Sequence, residues 1–258
     1  MPIENKKIVL LAGKGLSTNI VFHALNNRFG IHSAIIEAKE SKILFVKRRI
    51  KKLGFFHVSG QLMFQFLIVP VLNFISRNKI SQFVKDQDLK DSEIPVNKIL
   101  QVQSVNDPSV EAALVALKPD VIIVNGTRII SKRILNAVKC PIINTHAGIT
   151  PLYRGVHGAY WALVNNDKQH CGVTVHLIDA GIDTGDIIYQ SLILVNKTDN
   201  FVTYPIKQLA IGIPILIKAI EDALNGDIKT NKSFEKSGLW YHPTIWQYIF
   251  HLIINKVK

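Results

Sequence analysis

The sequence predicts an α/β fold: a doubly wound, mostly parallel sheet with one inserted, helical segment and a short C-terminal extension. Three observations predict it. Ile8–Leu11, Ala34–Ile36 and Val121–Val124 are short apolar runs without polar alternation, the pattern of strands buried on both faces. Segments with helix start and stop signals lie between such runs. The first run ends in Ala12-Gly13-Lys14-Gly15, a strand-to-helix turn.

The elements follow in order. After the first strand, Ser17 or Thr18 is expected to cap a helix reaching about Asn27, and Ala34–Ile36 is the second strand. Ile99–Val102 reads as a strand. Asp107-Pro108 opens a helix through about Leu117, with proline in its first turn. Pro141–Ile143 is a short strand after Val121–Val124, and Val156–Val164 a helix. Val173–Ile178 and Ile187–Leu194 are the last strands. Pro205–Leu224 suits a long helix ending near Gly226, with Pro214 as a candidate kink, and an apolar tail covers Ile245–Ile254.

Residues 39–96 break this rhythm. Lys42, Lys47, Arg48, Arg49, Lys51 and Lys52 form a basic cluster. Gly60–Ile75 is almost wholly apolar, interrupted by Gln61, Gln65, Pro70 and Asn73, and too short and broken for a membrane span. A buried helix, an interfacial helix or a dimer surface all fit. A protein interface, such as a homodimer contact, or internal packing is expected ahead of a membrane surface.

Bulk properties set wide bounds. The chain of 258 residues is 48% hydrophobic, enough for one large core or a core with a small appendage. A net charge of +12 favours anionic partners without choosing among nucleotides, nucleic acid and acidic membrane. Cys140 and Cys171 are too few for a disulfide framework and read as core residues in a reducing, cytoplasmic setting. Met1–Lys7 and the short run after it carry no signal-peptide pattern.

Three loops concentrate reactive side chains: Asn144-Thr145-His146-Ala147-Gly148-Ile149-Thr150-Pro151 after a strand, Leu152-Tyr153-Arg154-Gly155, and Asp179-Ala180-Gly181-Ile182-Asp183-Thr184-Gly185-Asp186 between two strands. Loops at the carboxyl ends of strands form the usual site in such folds. Asn144 and His146, two apart in extended chain, point to one side, where a carboxylate from a neighbouring loop can face the imidazole.

These segments resemble the folate-dependent formyltransferase family, which includes glycinamide ribonucleotide transformylase, methionyl-tRNA formyltransferase and the nucleotide-sugar N-formyltransferases. The family pattern is Asn-x-His-x-Ser-Leu-Leu-Pro, a Tyr-Arg-Gly-like turn, and a later loop ending Asp-Thr-Gly. Asn144, His146, Pro151, Arg154, Gly155, Asp183 and Gly185 match it. Gly148 stands where the family has Ser, and Ile149-Thr150 where it has Leu-Leu. The resemblance runs from about Pro119 to Gln190, is weaker over the first 36 residues and is absent from the insert and the tail.

The resemblance implies a Rossmann-like core and an enzyme that moves a formyl group from 10-formyltetrahydrofolate to a primary amine, without a metal. Asn144 would donate to the developing oxyanion. His146 would take the amine's proton, and Asp183 would orient His146 or relay protons to the leaving nitrogen. Folate would lie against Gly126, Arg128, Ile129 and Ile130, and against the loop with Ile178, Asp179 and Ile182. Gly13-Lys14-Gly15 can present backbone N–H groups to an anionic substrate, though a plain structural turn accounts for it equally well. Thr18 replaces the third glycine of a dinucleotide fingerprint, which argues against a nicotinamide enzyme.

The expected organisation is a catalytic domain over residues 1–200, with its insert, and a helical extension over 201–258 packed on the core or at an oligomer interface. A nucleotide-linked amino sugar, used in polysaccharide biosynthesis, is the expected acceptor, contacted by Arg154 and His157. Too few residues follow the last matching strand for the tRNA-gripping barrel of methionyl-tRNA formyltransferases, so nucleic acid is not the expected partner. Glycinamide ribonucleotide or methionyl-tRNA formylation, 10-formyltetrahydrofolate hydrolysis and a non-catalytic membrane-surface or partner-binding module are the alternatives.

Overall fold

The computed structural model describes residues 6–232 and 236–258. Met1–Asn5, part of the stretch read as lacking a signal peptide, lie outside the described residues. β1 (Ile8–Gly13) is central and pairs in parallel with β2 (Ser33–Glu37), which pairs in parallel with β3 (Ile99–Val102). On its other side β1 pairs with β4 (Val121–Asn125), and β4 with β5 (Ile142–His146), again in parallel. A short pair, β6 (Arg154–Gly155), leaves the sheet before β7 (Gly172–Leu177) and β8 (Ile187–Leu192) complete it in antiparallel fashion. The order is β3-β2-β1-β4-β5-β7-β8, while β6 pairs with β9 (Leu239–Trp240).

Helices cover both faces, so the central strands are continuously apolar. Alternate residues of β1 serve two cores. Ile8, Leu10 and Ala12 pack in the layer under α1 (Leu16–Phe29), and Val9 and Leu11 pack in the other. The insert forms α2 (Lys42–Leu53), then α3 (Phe55–Met63), a π-turn at Phe64–Ile68 and α4 (Val69–Asp86). α5 (Pro108–Leu117) and α6 (Lys132–Ala137) cover the second layer through Val110, Leu114 and Ile134. α7 (Gly158–Val164) lies in a third, aromatic-rich cluster, α8 (Tyr204–Asn225) crosses the sheet, and α9 (Ile245–Ile254) closes the described chain.

Several local expectations shift. α1 has Gly15 at its N-cap and no side-chain cap, because Thr18 Oγ1 instead donates to the Gly13 carbonyl at 2.6 Å and accepts from Asn125 at 3.0 Å. α7 begins at Gly158 rather than Val156, since His157 takes a left-handed conformation (φ 60°) that no helix interior admits. α8 runs through Pro214, whose ring faces solvent. It packs against the sheet face opposite the reactive loops, where Gly212 lies close to Thr145 and Val173. Internal packing accounts for only one side of the insert: Val58, Phe64 and Leu72 are buried, but Phe56, Phe66 and Phe74 face outward.

Candidate active site

The strand period places Asn144 and His146 on one face of β5. β7 pairs Asn144 with His176 in register, adding an imidazole to that face. Because β7 runs antiparallel, the loop after it starts at the wrong end of the sheet and folds back over the face. This return brings Asp183 Oδ2 to 3.4 Å from His146 Nδ1 and Asp183 Oδ1 to 3.7 Å from His176 Nε2.

Hydrogen-bond partners fix the protons. His146 Nε2 lies 2.7 Å from the Tyr153 carbonyl, which can only accept, so Nε2 carries the hydrogen in the neutral ring. Nδ1 is then the proton-accepting nitrogen. His176 Nδ1 likewise donates to the Leu177 carbonyl at 2.7 Å, leaving its Nε2 to accept from Asn144 Nδ2 at 3.1 Å. One of the two Asn144 amide protons is thereby used, and the other is free for the cleft.

Burial lowers the pKa of His146 below its ordinary value, partly opposed by the Asp183 charge and the Tyr153 carbonyl. The ring is therefore neutral at neutral pH. Burial pushes the Asp183 carboxyl up, but the facing His176 and His146 imidazoles and the hydrogen bond from the Gly155 N–H outweigh it and hold the group below the usual range. Gly155 N–H donates to Asp183 Oδ2 at 3.0 Å, and Asp183 sits at φ 50°, a left-handed conformation that non-glycine residues adopt at some cost.

Neighbours hold this loop. Arg154 donates to the Ile182 carbonyl at 3.0 Å, and Asp179 accepts from Gly181 N–H and from Thr184. A Cβ at Gly148 would lie 2.2 Å from the Tyr153 carbonyl oxygen and 2.7 Å from His146 Nε2. Glycine there lets the backbone close on the histidine, which gives a physical reason for Gly where the family pattern has Ser.

The face opens into a cleft of about 990 Å³. Asn144, His146, His176 and Asp183 line it, as do Gly13, Lys14, Gly126, Arg128, Ile129 and Ile130 on one side and Ile178, Asp179 and Ile182 on the other. The Arg128 guanidinium is occupied by Glu37 and by the carbonyls of Gln103 and Ala38, and the Arg128 N–H by Glu37 Oε1 at 2.6 Å. Arg128 thus ties the loop to β2 and offers no free charge. Gly15, Arg154 and His157 are not among the lining residues. His157 packs on Phe201 and hydrogen-bonds His242 at 2.8 Å; burial, with the nearby His242 and Arg49, drives its pKa well down.

Sequence reasoning missed two features. His176 is the one ionisable side chain of β7, and its register with Asn144, not its spacing in the sequence, marks it as part of the site. Arg48, Arg49 and Lys52 of α2 also wall the cleft, with Tyr241 and His242 beside them. Only tertiary packing brings the insert there.

Sequence and structure together define a class. The formyl transferase family profile matches residues 71–220, more than half of the chain, and the chain belongs to the formyl transferase family. Methionyl-tRNA formyltransferase of Clostridium beijerinckii is 35% identical over 152 residues, covering 58% of this chain and 47% of the relative. The chain spans about half the length of the curated relatives it matches. Among solved structures, a sugar N-formyltransferase from Shewanella superposes with a TM-score of 0.57 at 13% identity, over 91% of this chain and 76% of that one. The N-formyltransferase of Helicobacter canadensis, in complex with folinic acid and dTDP-3-aminofucose, gives 0.53 at 18% identity, over 90% and 70%. At such identities these two likenesses establish the fold.

Proposed function

We propose that the chain transfers a formyl group from 10-formyltetrahydrofolate to the primary amine of a nucleotide-linked amino sugar. The observation that carries this reading is the pairing, in one cleft, of a neutral His146 whose unprotonated Nδ1 lies 3.4 Å from the Asp183 carboxylate with an Asn144 amide proton left uncommitted. The cleft suits the donor: Val124, Ile129, Ile130 and Ile178 form an apolar wall beside a polar end, and about 990 Å³ admits a ligand of that size.

When bound, the donor supplies a formyl carbon on a nitrogen that can leave. Asn144 donates its free N–H to the formyl oxygen as negative charge builds there during attack by the amine. His146 Nδ1 accepts the proton lost by the attacking nitrogen, and Asp183 stabilises the imidazolium so formed. The same proton, returned from His146 directly or through water, neutralises the departing nitrogen. His176 fixes the Asn144 amide through its Nε2.

Two observations support the acceptor. Lys14, Arg48, Arg49 and Lys52 line the cleft and suit a pyrophosphate. The Helicobacter canadensis relative in complex with dTDP-3-aminofucose shares the fold. Sequence similarity to methionyl-tRNA formyltransferases supports the transfer chemistry equally and favours tRNA as the second reading. The test is a panel of acceptors with 10-formyltetrahydrofolate: nucleotide-linked amino sugars, glycinamide ribonucleotide and methionyl-tRNA. Amide formation on an amino sugar is expected. Formylation of methionyl-tRNA alone would overturn the acceptor assignment and leave the transfer chemistry standing.

A further inference from the structure

The insert presents an apolar face that none of the described residues covers. Phe56 is 82% exposed, and Phe66 and Phe74 are each 67% exposed. α9 continues this face: its Trp246 ring packs on Gly60 of α3, and Ile249, Phe250 and Ile253 point to solvent. α2 adjoins it with Ile43 and Leu44 exposed, and none of its residues is buried. Burying apolar side chains is worth roughly 25 cal/mol per Å², so such a face calls for an occupant.

Charge selects the occupant. Residues 41–85 contain nine Lys or Arg and no Asp or Glu, and residues 236–258 contain three Lys and no Asp or Glu. Lys79 is met by Asp199 and Arg48 by Glu40, and a two-fold dimer through this face would set the remaining cations, such as Lys42, Lys47, Lys51 and Arg77, against their own copies. An anionic headgroup layer supplies the missing charge while its acyl boundary takes the phenylalanines.

The geometry also decides between lying on a bilayer and crossing it. Phe55–Asp86 is a helical stretch of 32 residues, long and apolar enough to span by length and composition alone. Its polar side, however, is fastened to the catalytic core along its length. Gln61 donates to the His242 carbonyl at 2.6 Å, Ser76 accepts from Asn200 at 2.8 Å, and Lys79 donates to Asp199 at 2.6 Å. Spanning would tear these contacts apart and strand their polar groups in hydrocarbon. The inward side thus mixes these anchored polar groups with buried Val58, Phe64 and Leu72, while large phenylalanines remain on the outward side.

We propose that α2, α3, α4 and α9 together dock the protein in the plane of an anionic lipid bilayer. α2 belongs both to this face and to the cleft wall, through Phe45, Arg48 and Lys52. Docking therefore sets the cleft beside the headgroup layer.

Vesicle flotation of the full chain at physiological salt tests this, with vesicles of phosphatidylcholine alone or mixed with phosphatidylglycerol. The protein is expected to float with the mixed vesicles and to stay at the bottom with phosphatidylcholine. Phe66→Asp and Phe74→Asp should each weaken partitioning roughly tenfold or more. Lys47→Glu and Lys51→Glu should each weaken it by about fivefold or more. Circular dichroism confirms folding of each variant, whose changed side chain is exposed. Failure of the wild-type chain to float, equal flotation with both vesicle types, or variants that float like wild type would each overturn the proposal. So would a lipid-free dimer in sedimentation that Phe66→Asp splits into monomers while no form binds vesicles.

Discussion

Replacing Asp183 by Asn isolates one electrostatic contact. Asn keeps the size of the side chain, tolerates the left-handed φ of 50°, and can still accept the Gly155 N–H. What it removes is a negative charge 3.4 Å from His146 Nδ1. At that separation a pair of unit charges is worth about 5 kcal/mol at an effective dielectric near 20, an upper limit because Asp183 is partly solvated. The carboxylate favours the protonated ring, so its loss must lower the His146 pKa further. A fall of about one to three pH units is expected. Histidine NMR titration of wild type and variant measures it without any acceptor. Turnover should fall about 100-fold or more, because the imidazolium formed during transfer loses its counter-charge. A His146 midpoint that stays put or rises would refute the assigned pairing.

Other perturbations separate the remaining roles. Asn144→Ala should cut turnover about 100-fold or more with donor affinity little changed, and calorimetry with folinic acid checks the second half. Equal loss of donor affinity with unchanged turnover would make Asn144 a binding residue. Gly148→Ala must displace the Tyr153 carbonyl that holds His146; a loss of turnover of about tenfold or more is expected in a folded variant, and a fully active one would contradict the close packing. Stability should fall on acidification. Burial, with the nearby Arg49, lowers the His242 pKa to about 4, and His146 and His157 are also lowered. Below about pH 6.5 the unfolded chain takes up protons that the folded chain refuses, so stability present above that pH is lost towards pH 4. For His242 alone the loss is on the order of 3 kcal/mol, readable as a shift in urea midpoint; a midpoint unchanged between about pH 7.5 and pH 4.5 would contradict it.

Much of the fold was legible because burial on both faces leaves a direct mark on strands. β1 and β4 fall within a residue or two of their apolar runs, and β7 within one residue of its alternating segment. The β5 pair was legible for a local reason: two residues apart in extended chain means one face. Asp183 was legible through its loop, but not the way the loop reaches His146, since that depends on β7 running antiparallel. His176 was overlooked because one imidazole in an apolar strand carries no spacing pattern; its meaning comes from the register with Asn144. Arg154 and His157 stand beside the reactive loop in sequence, yet they turn inward, onto the Ile182 carbonyl and His242. The insert's exposure was illegible for a further reason: an apolar run reads the same whether a core or a bilayer covers it.

The most direct test of the central claim follows a labelled formyl group. 10-Formyltetrahydrofolate labelled in its formyl carbon is incubated with the protein and a nucleotide-linked amino sugar, and the label is traced by mass spectrometry. The account predicts label in an amide on the sugar nitrogen, with an equal amount of tetrahydrofolate released, and loss of about 100-fold or more in rate for His146→Ala. Label recovered only as free formate, or transfer that survives His146→Ala, would contradict it.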